Sequence, residues 1–122
     1  MASAQEKPSG IDALLAPGAA VHKLAGGMQF VEGPAWTDAG GGYLIFSDIP
    51  ASELKKWDGH ALTTFRKDTH NSNGNTFDQQ GRLITCEHTT RRVVRTEKDG
   101  AINILADHYE QKRLNSPNAV IV

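Results

Sequence analysis

The sequence is short of nearly every feature that would announce a function at once. It has a single cysteine, Cys86, which excludes an intrachain disulfide and any cysteine-based zinc cluster. Cys86 lies in an apolar run, where a thiol acts as packing rather than as a reactive group. No stretch approaches the roughly 20 apolar residues of a membrane-spanning helix, so no membrane partner is expected. Charge of one sign is lacking too: 13 Lys and Arg face 14 Asp and Glu, a formal net charge of −1. Without a basic surplus there is no electrostatic case for nucleic acid or for an anionic membrane surface. Residues 1–10 hold no apolar core of a secretory signal. That gives a cytoplasmic expectation, or a periplasmic one if a signal has been removed. Helical periodicity is weak throughout, and at residues 10–15 one turn at most is expected.

What the chain does have is a repeat. Glu32-Gly33-Pro34-Ala35-Trp36 aligns with Asn73-Gly74-Asn75-Thr76-Phe77, and both align with Ser116-Pro117-Asn118-Ala119-Val120. The offsets are 41 and then 43 residues. Each row opens on polar or turn-prone residues and continues with small and then large apolar ones. The following segments keep step. Tyr43-Leu44-Ile45-Phe46-Ser47-Asp48-Ile49 matches Arg82-Leu83-Ile84-Thr85-Cys86-Glu87-His88, with Asp48 and Glu87 in one register. Two further short β-rich segments recur in the same order, ending on Ala61-Leu62-Thr63-Thr64-Phe65 and Ala101-Ile102-Asn103-Ile104-Leu105.

Turn signals separate these segments. Asp58-Gly59 and Asp99-Gly100 stand where a two-residue hairpin is expected, because such turns need positive φ. Gly40-Gly41-Gly42 and Gln80-Gly81 separate the first and second strands. A four-stranded antiparallel unit repeated every forty-odd residues is the pattern of a β-propeller blade. The competing architecture is one eight-stranded sandwich or barrel, which gives no reason for the registered polar openings. In a propeller those strands line a central channel.

The expected division is an N-terminal extension (1–26), blade 1 (27–68), blade 2 (69–112) and the first strand of blade 3 (113–122). About two and a half blades fall short of the four that the smallest propellers have. They would leave apolar blade faces and strand edges uncovered. A fragment, or one part of a split propeller with its remaining blades on another chain, is the expectation.

Five segments then carry a resemblance. They are Glu32-Gly33-Pro34-Ala35-Trp36, Phe46-Ser47-Asp48-Ile49-Pro50, Asn73-Gly74-Asn75-Thr76-Phe77-Asp78, Gly81 through His88, and Arg113-Leu114-Asn115-Ser116-Pro117-Asn118. In this order and spacing, from about Gly27 onward, the sequence resembles the gluconolactonase and senescence-marker-protein (regucalcin) family. The resemblance implies an all-β, six-bladed propeller with one divalent cation in its channel, acting on sugar lactones or related esters. It implies that Glu32 gives a carboxylate to the metal and that Asn118 faces metal and substrate. The remaining ligands, an asparagine and an aspartate, would come from later blades.

Such a set of hard oxygen donors suits Ca²⁺ foremost, with Mg²⁺, Mn²⁺ or Zn²⁺ as alternatives. Glu32, Asn73 and Asn118 occupy successive inner strands and can therefore converge. Bland readings remain open beside each role. Glu32 is also a plausible solvated strand end, and Asn118 after Pro117 a turn former. Asn73 and Asn75, flanking Gly74, suit Asx turns as well as substrate contact. The five histidines show no metal-ligand spacing; His70, just before an inner strand, is a candidate for substrate contact at the channel mouth. Asp48 and Glu87 lie one strand outward and read as structural. The family pattern has Asp where this chain has Ala119, a departure that bears on activity. Three readings stand: a metal-dependent lactone hydrolase, a non-catalytic metal- or partner-binding propeller module, and an inactive fragment.

Overall fold

The computed structural model describes residues 10–122, so the first nine residues of the expected N-terminal extension lie outside it. A 3-10 turn at Gly10–Leu14 is the only helical turn before the first strand among the described residues. β1 (Val31–Thr37), β2 (Tyr43–Asp48), β3 (Glu53–Trp57) and β4 (Leu62–Arg66) form one antiparallel meander. β5 (Ser72–Phe77), β6 (Leu83–Glu87), β7 (Arg92–Thr96) and β8 (Ile102–Ala106) form a second. Each pairs only sequential strands, as a blade does. A short hairpin of β9 (His108–Tyr109) and β10 (Lys112–Arg113) follows. Residues 114–122 carry no strand pairing.

The turns differ from the two-residue hairpins expected at Asp58-Gly59 and Asp99-Gly100. Trp57 pairs with Leu62 across a four-residue loop, where Asp58 Oδ1 accepts the N–H groups of His60 and Ala61 at 3.0 and 2.8 Å. In blade 2 Thr96 pairs with Ile102, and Gly100 N–H reaches Glu97 O at 3.0 Å. The reason is conformational. A two-residue type I′ turn needs positive φ at both central residues, and in each loop only the glycine has it: Gly59 at +93° and Gly100 at +86°. Aspartate instead braces a longer loop through its side chain.

The two blades meet through a small apolar cluster and a larger polar one. Ile45, Leu54 and Leu83 are buried together, with Tyr43 and Phe77 packed on them. The two rings stand edge to face at 6.0 Å. Toward the inner strands the interface turns polar. Ser47 Oγ donates to Asn73 O at 2.7 Å, Ser72 Oγ donates to Thr69 Oγ1 at 2.9 Å, and Thr85 Oγ1 donates to Asn75 Oδ1 at 2.9 Å. All of these residues are buried, so each bond also removes the cost of an unsatisfied polar group. Farther out, buried Glu87 bridges the blades, with Arg92 at 2.6 Å and Arg66 of β4 at 3.5 Å. Burial pulls the Arg66 guanidinium below its ordinary pKa, while the Glu87 charge pushes it back up. Asp48 braces the chain ahead of β1, accepting Gln29 N–H at 3.2 Å and Phe30 N–H at 3.3 Å. Cys86 is fully buried, and that burial raises its thiol pKa, as expected of packing.

The inner strands lie unusually close. Gly33 has φ +61°, and a Cβ there would stand 2.2 Å from Asn73 O and 2.8 Å from Gly74 Cα. A Cβ on Gly74 would stand 2.6 Å from Asn118 O and 2.8 Å from Ala119 Cα. Only glycine permits either approach. Gly33→Ala should therefore destabilise the protein by about 2–3 kcal/mol, combining backbone strain with overpacking. Gly59→Ala also has positive φ but meets nothing within 4 Å, and should cost about 1 kcal/mol. Urea midpoints at unchanged m-value would measure the difference; equal losses would mean that the inner-strand contact is dispensable.

Candidate inner-strand site

The glycine contacts fix which residues are equivalent from one inner segment to the next. Asn73 and Gly74 lie against Gly33 as Asn118 and Ala119 lie against Gly74. Asn118, not Ser116, therefore stands in the position of Asn73, and the third row of the repeat moves by two residues from the alignment drawn on composition. The polar-small-apolar order fits Ser116-Pro117-Asn118-Ala119 in either register, whereas a backbone contact distinguishes Cβ clearance. Glu32, Asn73 and Asn118 thus occupy one repeat position on three successive segments. Ala119 carries a Cβ where the first two segments have none.

Asn73 is buried. Its Oδ1 accepts from Asn118 Nδ2 at 3.2 Å, and its own Nδ2 donates to Asn71 O at 3.3 Å. With its amide nitrogen turned to Asn73, the exposed Asn118 keeps Oδ1 without a partner among the described residues. Glu32 is half-buried beside Gly33. Among the described residues its carboxylate takes no hydrogen bond or salt bridge.

Asn75 sits differently. Buried, it donates from Nδ2 to Gly33 O at 2.9 Å, to Ser47 Oγ at 3.0 Å and to Asn73 O at 3.0 Å, while Oδ1 takes the Thr85 hydroxyl. Its amide is engaged wholly within the blade pair. His70 is exposed, at the head of β5. It and Asn71 both have positive φ, +54° and +53°, so the chain makes a tight bend just before the inner strand. Asn71 ties that bend to both blades: Nδ2 donates to Ile49 O at 2.9 Å, and Oδ1 accepts the Thr89 hydroxyl at 2.7 Å.

The segment bearing Asn118 has no sheet to hold it among the described residues, and hydrogen bonds to blade 2 do so instead. Gly74 N–H donates to Asn118 O at 2.7 Å. Arg91 Nε donates to Leu114 O at 2.5 Å, Arg113 donates to Thr90 O at 2.6 Å, and Ser116 Oγ donates to His88 O at 3.2 Å. Arg113 and Ser116 lie in a segment that the resemblance marks, but nothing in the sequence points to their carbonyl partners or to Arg91.

Chemically, this chain offers an incomplete set of hard oxygen donors. No group of three or more His, Cys, Asp or Glu side chains is gathered among the described residues. One free carboxylate and one free amide oxygen fit part of a Ca²⁺- or Mg²⁺-like shell, which needs six or more oxygens. The balance of any such shell would come from outside the described residues or from water.

Comparison with known proteins agrees with this architecture. Residues 30–122 match the SMP-30/Gluconolactonase/LRE-like region. A gluconolactonase of Zymomonas mobilis is 30% identical over 125 residues, covering 88% of this chain and 34% of that protein. A solved gluconolactonase of Xanthomonas campestris superposes with a TM-score of 0.74 at 38% identity, covering 78% of this chain and 32% of that one. A solved putative gluconolactonase gives 0.81 at 37% identity, with 88% and 37% covered. The chain spans about a third of the length of these relatives.

Asn75 and Asn118 should therefore separate in a stability measurement. Asn75→Ala strips partners from Gly33 O and the Thr85 hydroxyl and should cost about 2–3 kcal/mol. Asn118→Ala, at an exposed position, should cost about 0.5 kcal/mol or less. Urea unfolding of the two variants would show the split; equal losses would make Asn118 part of the framework.

Proposed function

The chain belongs to the SMP-30/gluconolactonase/LRE-like family, and from that membership we propose that it supplies two blades and part of the channel site of a sugar-lactone hydrolase. The observation that carries this reading is the shared repeat position of Glu32, Asn73 and Asn118 on successive inner segments, with the Glu32 carboxylate left free. The activity is that of a complete propeller, because two blades cannot enclose a channel.

In this reading Glu32 and Asn118 Oδ1 hold a divalent cation, Ca²⁺ foremost, whose role when bound is to polarise the lactone carbonyl and favour addition of water. Glu32 contributes the negative charge that offsets the cation. Asn118 contributes a neutral oxygen, kept in orientation by the Nδ2–H···Oδ1 bond to Asn73. Asn73 is thus a positioning residue, and buried Asn75 secures the backbone beneath it. In the same reading His70, exposed just ahead of β5, would meet substrate at the channel mouth. The proton of the attacking water goes to a carboxylate on another blade.

One observation favours a second reading, a propeller that binds metal or a partner without turnover. Position 119, directly after Asn118, is alanine and not a carboxylate residue.

The test is pH-stat hydrolysis of D-glucono-δ-lactone by the assembled propeller, with and without Ca²⁺, Mg²⁺ or Mn²⁺. Glu32→Gln should weaken cation affinity at least tenfold, about 1.4 kcal/mol, and lower kcat/KM by about 10²-fold or more. Hydrolysis indifferent to both Glu32→Gln and chelation would contradict the metal role. Cation binding without hydrolysis would favour the binding module.

A further inference from the structure

The turn between the second and third strands has one geometry in both blades. Residues 49–52 join β2 to β3, and residues 88–91 join β6 to β7. In each, the N–H of the last residue closes back on the first: Ser52 on Ile49 O at 3.0 Å, and Arg91 on His88 O at 3.2 Å. In each, that last residue has positive φ, +52° at Ser52 and +56° at Arg91. A residue with a Cβ adopts this conformation only at a cost.

Both turns latch the chain that enters the next inner segment. With Asn118 in the position of Asn73, Ser116 falls on Asn71, and the two behave alike. Their φ values are +44° and +53°, and each side chain donates to the first carbonyl of the preceding turn. Asn71 Nδ2 reaches Ile49 O at 2.9 Å, and Ser116 Oγ reaches His88 O at 3.2 Å. The last residue of the turn holds the same stretch by opposite chemistry. Ser52 accepts, its O from Thr69 N–H at 3.0 Å and its Oγ from Asn71 N–H at 3.1 Å. Arg91 donates, from Nε to Leu114 O at 2.5 Å and from Nη2 to Arg113 O at 3.4 Å.

The connections between blades explain the reversal. Residues 67–71 run directly from β4 to β5, whereas residues 107–116 also build the β9–β10 hairpin. In the shared register Leu114 stands where Thr69 does. Its N–H closes the base of the hairpin on Asp107 O at 2.9 Å, so it is already engaged and the turn meets carbonyl oxygens instead. A serine accepts as readily as it donates, while a guanidinium offers donors alone. Arg113 adds a bond in the other direction, donating to Thr90 O at 2.6 Å.

We propose that Arg91 is a positioning residue for Asn118. From a strained turn it grips the carbonyls of residues 113 and 114, and so fixes where the chain continues to Asn118. Two bonds then depend on that placement: Gly74 N–H to Asn118 O at 2.7 Å, and Asn118 Nδ2 to Asn73 Oδ1 at 3.2 Å. The second turns Asn118 Oδ1 away from Asn73. Unfavourable φ at both Arg91 and Ser116 persists because these hydrogen bonds hold it, as strain at functional sites does. The use of Asn118 Oδ1 at a cation rests on the function proposed above; the positioning of the side chain does not.

Nuclear magnetic resonance of the 122-residue chain tests this with no ligand added. Arg91→Ala should speed exchange of the Gly74 N–H about tenfold or more, as the loss of a charge-assisted hydrogen bond predicts. It should also shift the side-chain amide resonances of Asn118, while those of Asn75, engaged within the blade pair, stay in place. Arg91→Lys keeps one donor and should fall between. Arg95→Ala, which removes only the contacts with Glu97, should leave both signals as they are. Unchanged Gly74 exchange and Asn118 resonances in Arg91→Ala would overturn the inference, as would equal changes in Arg95→Ala. Should Arg91→Ala not fold, Arg91→Lys decides: signals identical to those of the parent chain would overturn it. Mn²⁺ affinity measured on the same variants should fall about tenfold in Arg91→Ala. A loosened Asn118 with unchanged Mn²⁺ affinity would uphold the positioning and count against Asn118 as a ligand, so the two claims fail separately.

Discussion

Everything at the inner end of this structure depends on two glycines that let one strand's backbone lie on the next. Gly33 accepts Asn73 and Gly74 at a distance no Cβ would allow, and Gly74 accepts Asn118 and Ala119 in the same way. The contact converts a repeat in sequence into a repeat in space, so that Glu32, Asn73 and Asn118 come to equivalent positions. It also exposes peptide groups to each other, and these must find partners away from water. Ser47 Oγ and Asn75 Nδ2 supply partners by donating to Asn73 O and Gly33 O, and Ser72, Thr69 and Thr85 are hydrogen-bonded behind them. Close approach and a polar interface are thus one arrangement, which explains why the blades bury so few large apolar residues between their inner halves.

The blade architecture was legible because it is periodic. Four strand segments and their glycine punctuation recur at nearly fixed spacing, and the observed order β1-β2-β3-β4 and β5-β6-β7-β8 follows them. Turn geometry was less legible. Asp58-Gly59 marks a reversal, but whether the loop has two or four residues depends on φ at aspartate, which the dipeptide does not specify. The register of the third row was ambiguous for a similar reason: composition permits two alignments, and only the fit of Asn118 and Ala119 against Gly74 selects one.

The candidate site is expected from residue types, whereas its supports are not. Glu32 and Asn118 stand out by motif. Asn73 and Asn75 look alike in sequence, flanking the same glycine, yet one reaches Asn118 and the other faces inward to Thr85. Alternation along a strand separates neighbours, but these two are separated by the irregular register between Ser72 and Asn75. The partners of Arg91 and Arg113 are invisible in sequence because they are backbone carbonyls, which every residue has.

The central claim is that inner-strand contact brings Glu32 and Asn118 to one cation. A double-mutant cycle on Mn²⁺ affinity, read by electron paramagnetic resonance for Glu32→Gln, Asn118→Ala and the pair, addresses it directly. Two ligands of one ion should couple by about 1 kcal/mol or more. Additivity within about 0.5 kcal/mol would mean that the two side chains do not share an ion, and the account of the site would fail.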